Sequence, residues 1–166
     1  MEINYLVALG AGLIPMVIGF AWYHPKVFGT AWMNSLGITE SDLNKGNMAL
    51  IFGLSYFFSC ILSLFMLTIS IHQFSTQGLF ATMPEFKEVG SEVHTYFQNF
   101  LAKYGDRHRS FGHGAVHGGL AGLFFVFPII AIKALFERKG AKYIFINGGY
   151  WFVTLLLIGG VMCQFA

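Results

Sequence analysis

Charged residues are scarce in this sequence. Aspartate, glutamate, lysine and arginine make up 11% of its 166 residues, whereas a typical protein carries roughly 25%. Hydrophobic residues make up 55%, a composition that excludes an ordinary soluble domain and indicates an integral membrane protein. The net charge of +2 and the lack of basic runs interleaved with aromatic residues argue against nucleic-acid binding. We therefore expect membrane lipid, and not nucleic acid, as a partner.

Cysteines and catalytic motifs are also missing or few. Cys60 and Cys163 lie inside apolar runs without the paired spacing of disulfide or zinc-knuckle sites. No G-x-S-x-G, H-E-x-x-H or P-loop motif occurs, and the long apolar runs contain no aspartate or glutamate. The sequence therefore predicts buried, apolar cysteines and gives no support for an enzyme.

Four long apolar intervals are present. A bilayer core takes roughly 20 apolar residues of helix to cross, and suitable intervals cover residues 3–23, 48–71, 112–134 and 143–165. The first has no basic residues before it and is longer than a signal-peptide core, so we expect a permanent helix. Backbone polar groups in lipid must be satisfied within each helix. The predicted fold class is therefore all-α, an integral membrane four-helix bundle forming one domain over residues 1–166.

The long connection between the second and third intervals also has a helical pattern. Its apolar residues recur at helical spacing: Phe86, Val89, Val93, Phe97, Phe100 and Tyr104. Pro84 and Gly105 mark the limits of this pattern. We expect an additional amphipathic helix over 84–104, either lying in the membrane interface or packed on the protein's own spans.

Aromatic residues cluster where the first span ends. Trp22, Tyr23 and Trp32 are of the type that favours the headgroup boundary. Pro25 is expected to end the first helix there. We predict that these three aromatic residues are interfacial anchors around a short re-entrant or interfacial turn.

Small residues form two stripes with a spacing of four. The stripes consist of Ser55, Ser59 and Ser63 on the second predicted span and Gly114, Gly118 and Gly122 on the third. Such stripes let helix backbones approach closely in lipid. They predict helix packing, either between the second and third spans of one chain or between subunits.

Three histidines are predicted to lie near the same membrane surface. His113 and His117 are four residues apart and share one face of the third span. His72 follows the second span, which ends where the third begins. Three interpretations stay open. One is a metal or haem site, and a second is that each histidine hydrogen-bonds a hydroxyl, a carbonyl or water at the headgroup level. A proton-handling role is a third.

Four motifs connect the sequence to a known family. They are Trp22-Tyr23-His24-Pro25, Phe28-Gly29-x-x-Trp32-Met33, His113-Gly114-x-x-His117-Gly118 and Leu135-Phe136-Glu137-Arg138. With these motifs the whole chain resembles domain-of-unknown-function family 1761, small four-span bacterial membrane proteins. The resemblance implies a bacterial inner-membrane location and a four-helix fold. The family has no established activity, so the resemblance implies no catalytic residues.

Two functions are compatible with these observations. The first is an accessory or structural membrane subunit, in a homo-oligomer or docked on a larger envelope complex. The alternative is a histidine-based metal-binding or haem-binding protein, acting as a carrier or redox component.

Basic residues in short connections tend to stay in the cytoplasm. Six of the ten lysines and arginines lie beside the short first and third connections: Lys26, Lys45, Lys133, Arg138, Lys139 and Lys142. Both termini are therefore predicted to lie on the outer face of the membrane.

Overall fold

A computed structural model describes residues 3–43 and 45–166, and this part of the chain is α-helical without any strand. The α-helices are α1 (Tyr5–Ala11), α2 (Ile14–Trp22), α3 (Thr30–Leu36), α4 (Glu40–Leu43), α5 (Met48–Ser70), α6 (His72–Phe80), α7 (Glu92–Tyr104), α8 (Phe111–Ala121), α9 (Phe127–Phe136) and α10 (Ala141–Phe165). Two π-helical turns (Pro25–Gly29 and Gly122–Val126) and a 3₁₀ turn (Pro84–Lys87) complete the helical segments.

Within the described residues, four helical stretches are long and apolar enough to cross a membrane. They are Tyr5–Trp22, Met48–Ser70, Phe111–Phe136 and Ala141–Phe165. The predicted fold class, a membrane four-helix bundle with a further amphipathic helix, is confirmed.

Prolines account for the interruptions in the first and third spans. Proline has no N–H to donate and its ring clashes with the carbonyl four residues earlier. α1 ends at Ala11, four residues before Pro15. The third span changes to a π-helical turn at Gly122–Val126, around the position four residues before Pro128. Each span therefore continues through its proline by a local change of helix geometry.

The fourth span forms the centre of the bundle. About 39% of its most apolar stretch is buried, against 17–22% in the other three spans. Leu155, Ile158 and Met162 of α10 are at most 1% exposed and pack with buried residues of α5 and α1. Phenylalanines on the outside, such as Phe20 and Phe124, are 83% and 71% exposed. The outer surface is therefore apolar, as contact with lipid requires.

The glycine stripe packs against α10, which corrects the expected pairing with the serine stripe. A Cβ at Gly114 would overlap the carbonyl oxygen of Gly159, and one at Gly118 would overlap that of Leu155. Gly122 likewise lies against the backbone of Phe152. The physical reason is complementarity: Gly159 has no side chain at the place where Gly114 and Gly118 approach α10.

The serine stripe is used differently along its length. Ser59 and Ser63 are buried, whereas Ser55 is exposed. The Ser63 hydroxyl donates to the Ser59 carbonyl oxygen within α5, at 2.9 Å. An intrahelical hydrogen bond satisfies this buried hydroxyl without a partner from another helix.

The second connection contains two helices instead of the single one predicted over 84–104. α6 follows α5 almost directly, and α7 begins only at Glu92, because Gly90 has a left-handed φ of 91°. Ser91 then caps α7 by accepting from the His94 N–H at 3.1 Å. The buried ring of Phe97 lies 5.2 Å from that of Phe80. The apolar face of α7 therefore packs on α6, within the chain.

The aromatic residues predicted as interfacial anchors pack around the start of α10. Trp22 donates from Nε1 to the Ile146 carbonyl oxygen (3.0 Å), and Tyr23 donates from its hydroxyl to Asn147 Oδ1 (2.9 Å). The Trp32 ring lies 5.2 Å from that of Tyr23. The connection that carries them is helical rather than a simple turn.

Candidate metal centre

The structure brings His72, His113 and His117 together. One ligand nitrogen from each lies within 4.8 Å of the others. The Nε2 atoms of His72 and His113 are 3.0 Å apart. The His117 ring centroid is 4.8 Å from that of His72 and 4.6 Å from that of His113. We call these three residues the histidine cluster.

Local backbone features place each member of the histidine cluster. Ile71 adopts an extended conformation (φ −115°, ψ 101°) that separates α5 from α6 and sets His72 at the start of the new helix. Ser110 caps α8, with its hydroxyl accepting from the His113 N–H at 3.4 Å. His113 and His117 then follow on successive turns of α8.

The neighbouring face of α8 is fixed by packing. Gly114 and Gly118 each follow a cluster histidine and seat α8 directly on α10. This contact leaves the histidine side of α8 facing α6. The H-G-x-x-H-G pattern therefore combines one packing face and one polar face on two turns of helix.

The spacing of the nitrogen atoms suits one metal ion. Zinc binds histidine nitrogen at about 2.0–2.1 Å, so two imidazoles on one tetrahedral ion have nitrogens roughly 3.3 Å apart. The 3.0 Å separation of His72 and His113 is close to this value. The nitrogen separations that involve His117 reach up to 4.8 Å, so this residue needs a shift of up to about 1.5 Å. Three imidazoles would leave the fourth position of such an ion open.

Haem fits this arrangement poorly. The three ring centroids lie 4.6 to 4.9 Å apart, in edge-to-face contact. A porphyrin ring needs a wide flat space beside its ligating imidazole, and the two other rings occupy the space around each member. The cluster is therefore suited to a bare ion.

His108 lies next to the cluster without belonging to it. Its ring stacks on that of His113 at 4.9 Å and lies 6.5 Å from that of His72. His108 has a left-handed φ of 63°, a conformation that costs a non-glycine residue about 1–3 kcal/mol. The Cys163 thiol lies 3.4 Å from the His108 carbonyl oxygen and helps to hold this strained turn.

The remaining two histidines lie elsewhere. His24 is in the first connection, where its Nδ1 accepts from the Lys26 N–H at 3.2 Å. His94 lies in α7, with Nδ1 3.1 Å from the Phe86 carbonyl oxygen. Neither residue joins the cluster.

Two supporting residues were not identified from the sequence. Gln73 is 5% exposed and donates from Nε2 to the carbonyl oxygens of Tyr104 and Arg107, both at 2.9 Å. Arg109 donates from its guanidinium to the carbonyl oxygens of Cys163 and Ala166. These contacts attach the connection before α8 to α6 and α10. The sequence signal for Gln73 is that a glutamine follows His72. A single glutamine in a polar connection is too common to identify a supporting role from the sequence.

Comparisons with known proteins give one match. A family model described as "Protein of unknown function (DUF1761)" matches residues 6–163. No curated protein and no solved structure matches significantly. The function must therefore be inferred from the geometry of the chain itself.

Proposed function

Because the chain belongs to the DUF1761 family, whose description names no function, we propose a function from the histidine cluster. The family match confirms the resemblance found in the sequence. The protein is a membrane protein that binds one divalent transition-metal ion through His72, His113 and His117. The observation that supports this proposal is the convergence of the three ligand nitrogens within 4.8 Å.

A simple hydrogen bond explains only part of this arrangement. The 3.0 Å contact between His72 and His113 can be a hydrogen bond between two neutral imidazoles. It does not account for His117, whose ring lies as close to both of the others. A shared ion interacts favourably with all three nitrogens at once, since neutral imidazole is a good ligand for zinc, copper, nickel and iron.

The position of the cluster favours an exchangeable ion over a structural one. His72 is exposed, and His113 and His117 are partly exposed. Structural zinc sites are closed by four protein ligands, whereas three ligands leave a position for water or another molecule. We therefore propose a carrier or redox role for the bound ion, at the surface where the second span ends and the third begins.

The test is metal binding by protein purified without a polyhistidine tag. We expect about one zinc or cobalt ion per chain in equilibrium dialysis with elemental analysis, and loss of this ion in the His113→Ala, His117→Ala double variant. His24→Asn is the matched control, because His24 lies outside the cluster and asparagine can keep its capping role. A folded parent that binds no metal, or a double variant that binds as much as the control, overturns the proposal.

The accessory-subunit hypothesis has less support. The glycine stripe that would have supplied a subunit interface is used within the chain, against α10. A role in a homo-oligomer or envelope complex, and the bacterial inner-membrane location, stay predictions from the sequence.

A further inference from the structure

A cleft of about 310 Å³ opens beside the histidine cluster, between α6, α7 and the connection that leads into α8. Its walls include His72, Thr76, Phe100, Tyr104, Arg107 and His108. His72 therefore belongs both to the cluster and to the wall of the cleft. A molecule in the cleft would lie next to a ligand of the proposed ion.

We propose that this cleft binds a small monocarboxylate with an apolar body, which completes the coordination of the metal ion. The inference rests on the proposed function, because the carboxylate needs an ion to coordinate. It extends that function by naming the class of molecule that occupies the open position left by three histidines.

Arg107 provides the charge that selects an anion. Among the residues that the structure describes, no carboxylate lines the cleft. Among the described residues, the ion pairs are Lys45 with Asp42 and Lys133 with Glu137, and neither involves Arg107. A guanidinium group binds a carboxylate in a bidentate fork, and such charge-assisted hydrogen bonds are stronger than neutral ones.

The other walls select the body of the ligand. Phe100 and Tyr104 present aromatic rings 5.6 Å apart by their centroids, which suits an apolar or aromatic group. Carboxylates such as benzoate combine this body with one charged end. A strongly hydrated anion such as phosphate has no apolar body to pack against these rings and would have to give up water there.

Hydrogen bonds hold the cleft in shape. Gln73 binds the carbonyl oxygens of Tyr104 and Arg107, so two wall residues are attached to α6 through their main chains. Binding then needs little reordering of the wall, which favours affinity.

The experiment uses cobalt-loaded full-length protein in detergent, with benzoate as the probe and the visible absorption of bound Co²⁺ as the readout. We expect benzoate to change the cobalt spectrum saturably in the parent. Arg107→Gln should load cobalt equally well but bind benzoate at least about tenfold more weakly, as expected for loss of a charged hydrogen-bonding group. Arg107→Lys, which keeps the charge without the fork, should lie between them.

Two controls separate the possible failures. Arg138→Gln, at the opposite end of the bundle, should leave benzoate binding unchanged. If cobalt binds but benzoate leaves the spectrum unaltered, or if all Arg107 variants bind benzoate equally, the cleft proposal is wrong and the metal site stands. If the folded parent takes up no cobalt, both proposals are wrong.

Discussion

Single glycines determine how closely α8 and α10 approach. The side of α8 where a Gly118 side chain would stand faces the main chain of Leu155 in α10, so the contact is backbone against backbone. Backbone atoms cannot move aside as a flexible side chain can. Substitutions at this position therefore report directly on the packing of the two helices.

We predict that Gly118→Ala destabilises the protein by about 1–2 kcal/mol. Overpacking costs about 1–3 kcal/mol, and the helix preference of alanine over glycine returns up to about 1 kcal/mol. The measurement is thermal unfolding in detergent. Gly53→Ala is the matched control, because a Cβ at Gly53 in α5 meets nothing within 4 Å. Equal stability of the two variants would contradict the packing account.

Tyr23 connects the end of the first span to α10 through a single hydrogen bond. Its hydroxyl donates to Asn147 Oδ1 at 2.9 Å, while the Asn147 amide donates to the Tyr143 carbonyl oxygen. We predict that Tyr23→Phe lowers the free energy of unfolding by about 1 kcal/mol, because the partly buried amide oxygen of Asn147 loses its partner. Tyr5→Phe, at a tyrosine that is 62% exposed, should change stability little.

The Tyr23 hydroxyl also makes the stability of the protein depend on pH. Burial raises the pKa of Tyr23 above its ordinary value of 10.0, with Tyr150 and Tyr143 adding to the shift. The unfolded chain then loses this proton at a lower pH than the folded one. The contribution of the protonated Tyr23 hydroxyl to the free energy of unfolding is fully present below pH 10 and is lost as pH rises above 10. The decrease in the free energy of unfolding between pH 8 and pH 11 should be smaller in Tyr23→Phe than in the parent. Equal decreases in the two proteins would exclude Tyr23 as the source.

At the scale of the helices, the sequence predicted the approach of the three histidines more accurately than the bounds of the helices around them. The spacing of His113 and His117, and the end of the second span at His72, predicted that the three would approach one another. α6 was not predicted, because its sequence lacks an apolar stripe and its buried Gln73 is held by tertiary hydrogen bonds. Residues 84–91 were predicted to belong to the amphipathic helix because the apolar spacing continues through them. In the structure, the left-handed conformation of Gly90 separates the 3₁₀ turn Pro84–Lys87 from α7.

Gln73 should control the mobility of the elements next to the histidine cluster. Gln73→Leu keeps a side chain of similar size but leaves the carbonyl oxygens of Tyr104 and Arg107 without their donor. We expect faster amide hydrogen exchange at the end of α7 and in residues 105–110, measured by mass spectrometry. Gln77→Leu, one turn later in α6, is the control. Equal exchange in the two variants would show that Gln73 does not hold this connection.

At the scale of the whole molecule, hydropathy predicts the number of spans but not their arrangement. Bilayer thickness sets the length of an apolar helix, so the four spans follow from the sequence. All four have similar composition, and no local signal indicated that α10 would be central. The glycine stripe marked a packing face on α8, but the choice between α5 and α10 depends on the small surface at Gly159, which the sequence does not place beside the stripe.

The distribution of charge predicts an orientation in the membrane. An even number of spans places both ends of the described chain on one side, together with the histidine cluster. The opposite side carries the short connections with six of the ten basic residues, including Arg138, Lys139 and Lys142. Basic residues in short connections favour the cytoplasmic side. Arg107 and Arg109 oppose this preference from the other end but are outnumbered.

We therefore predict that the histidine cluster faces away from the cytoplasm. In a Cys60→Ala background, Glu92→Cys should react with a membrane-impermeant maleimide in intact spheroplasts, and Lys139→Cys only after permeabilisation. Native Cys163 is fully buried and should stay unlabelled. The reverse labelling pattern would invert the orientation. On the predicted side the proposed three-histidine site would be accessible to metal ions outside the cytoplasm.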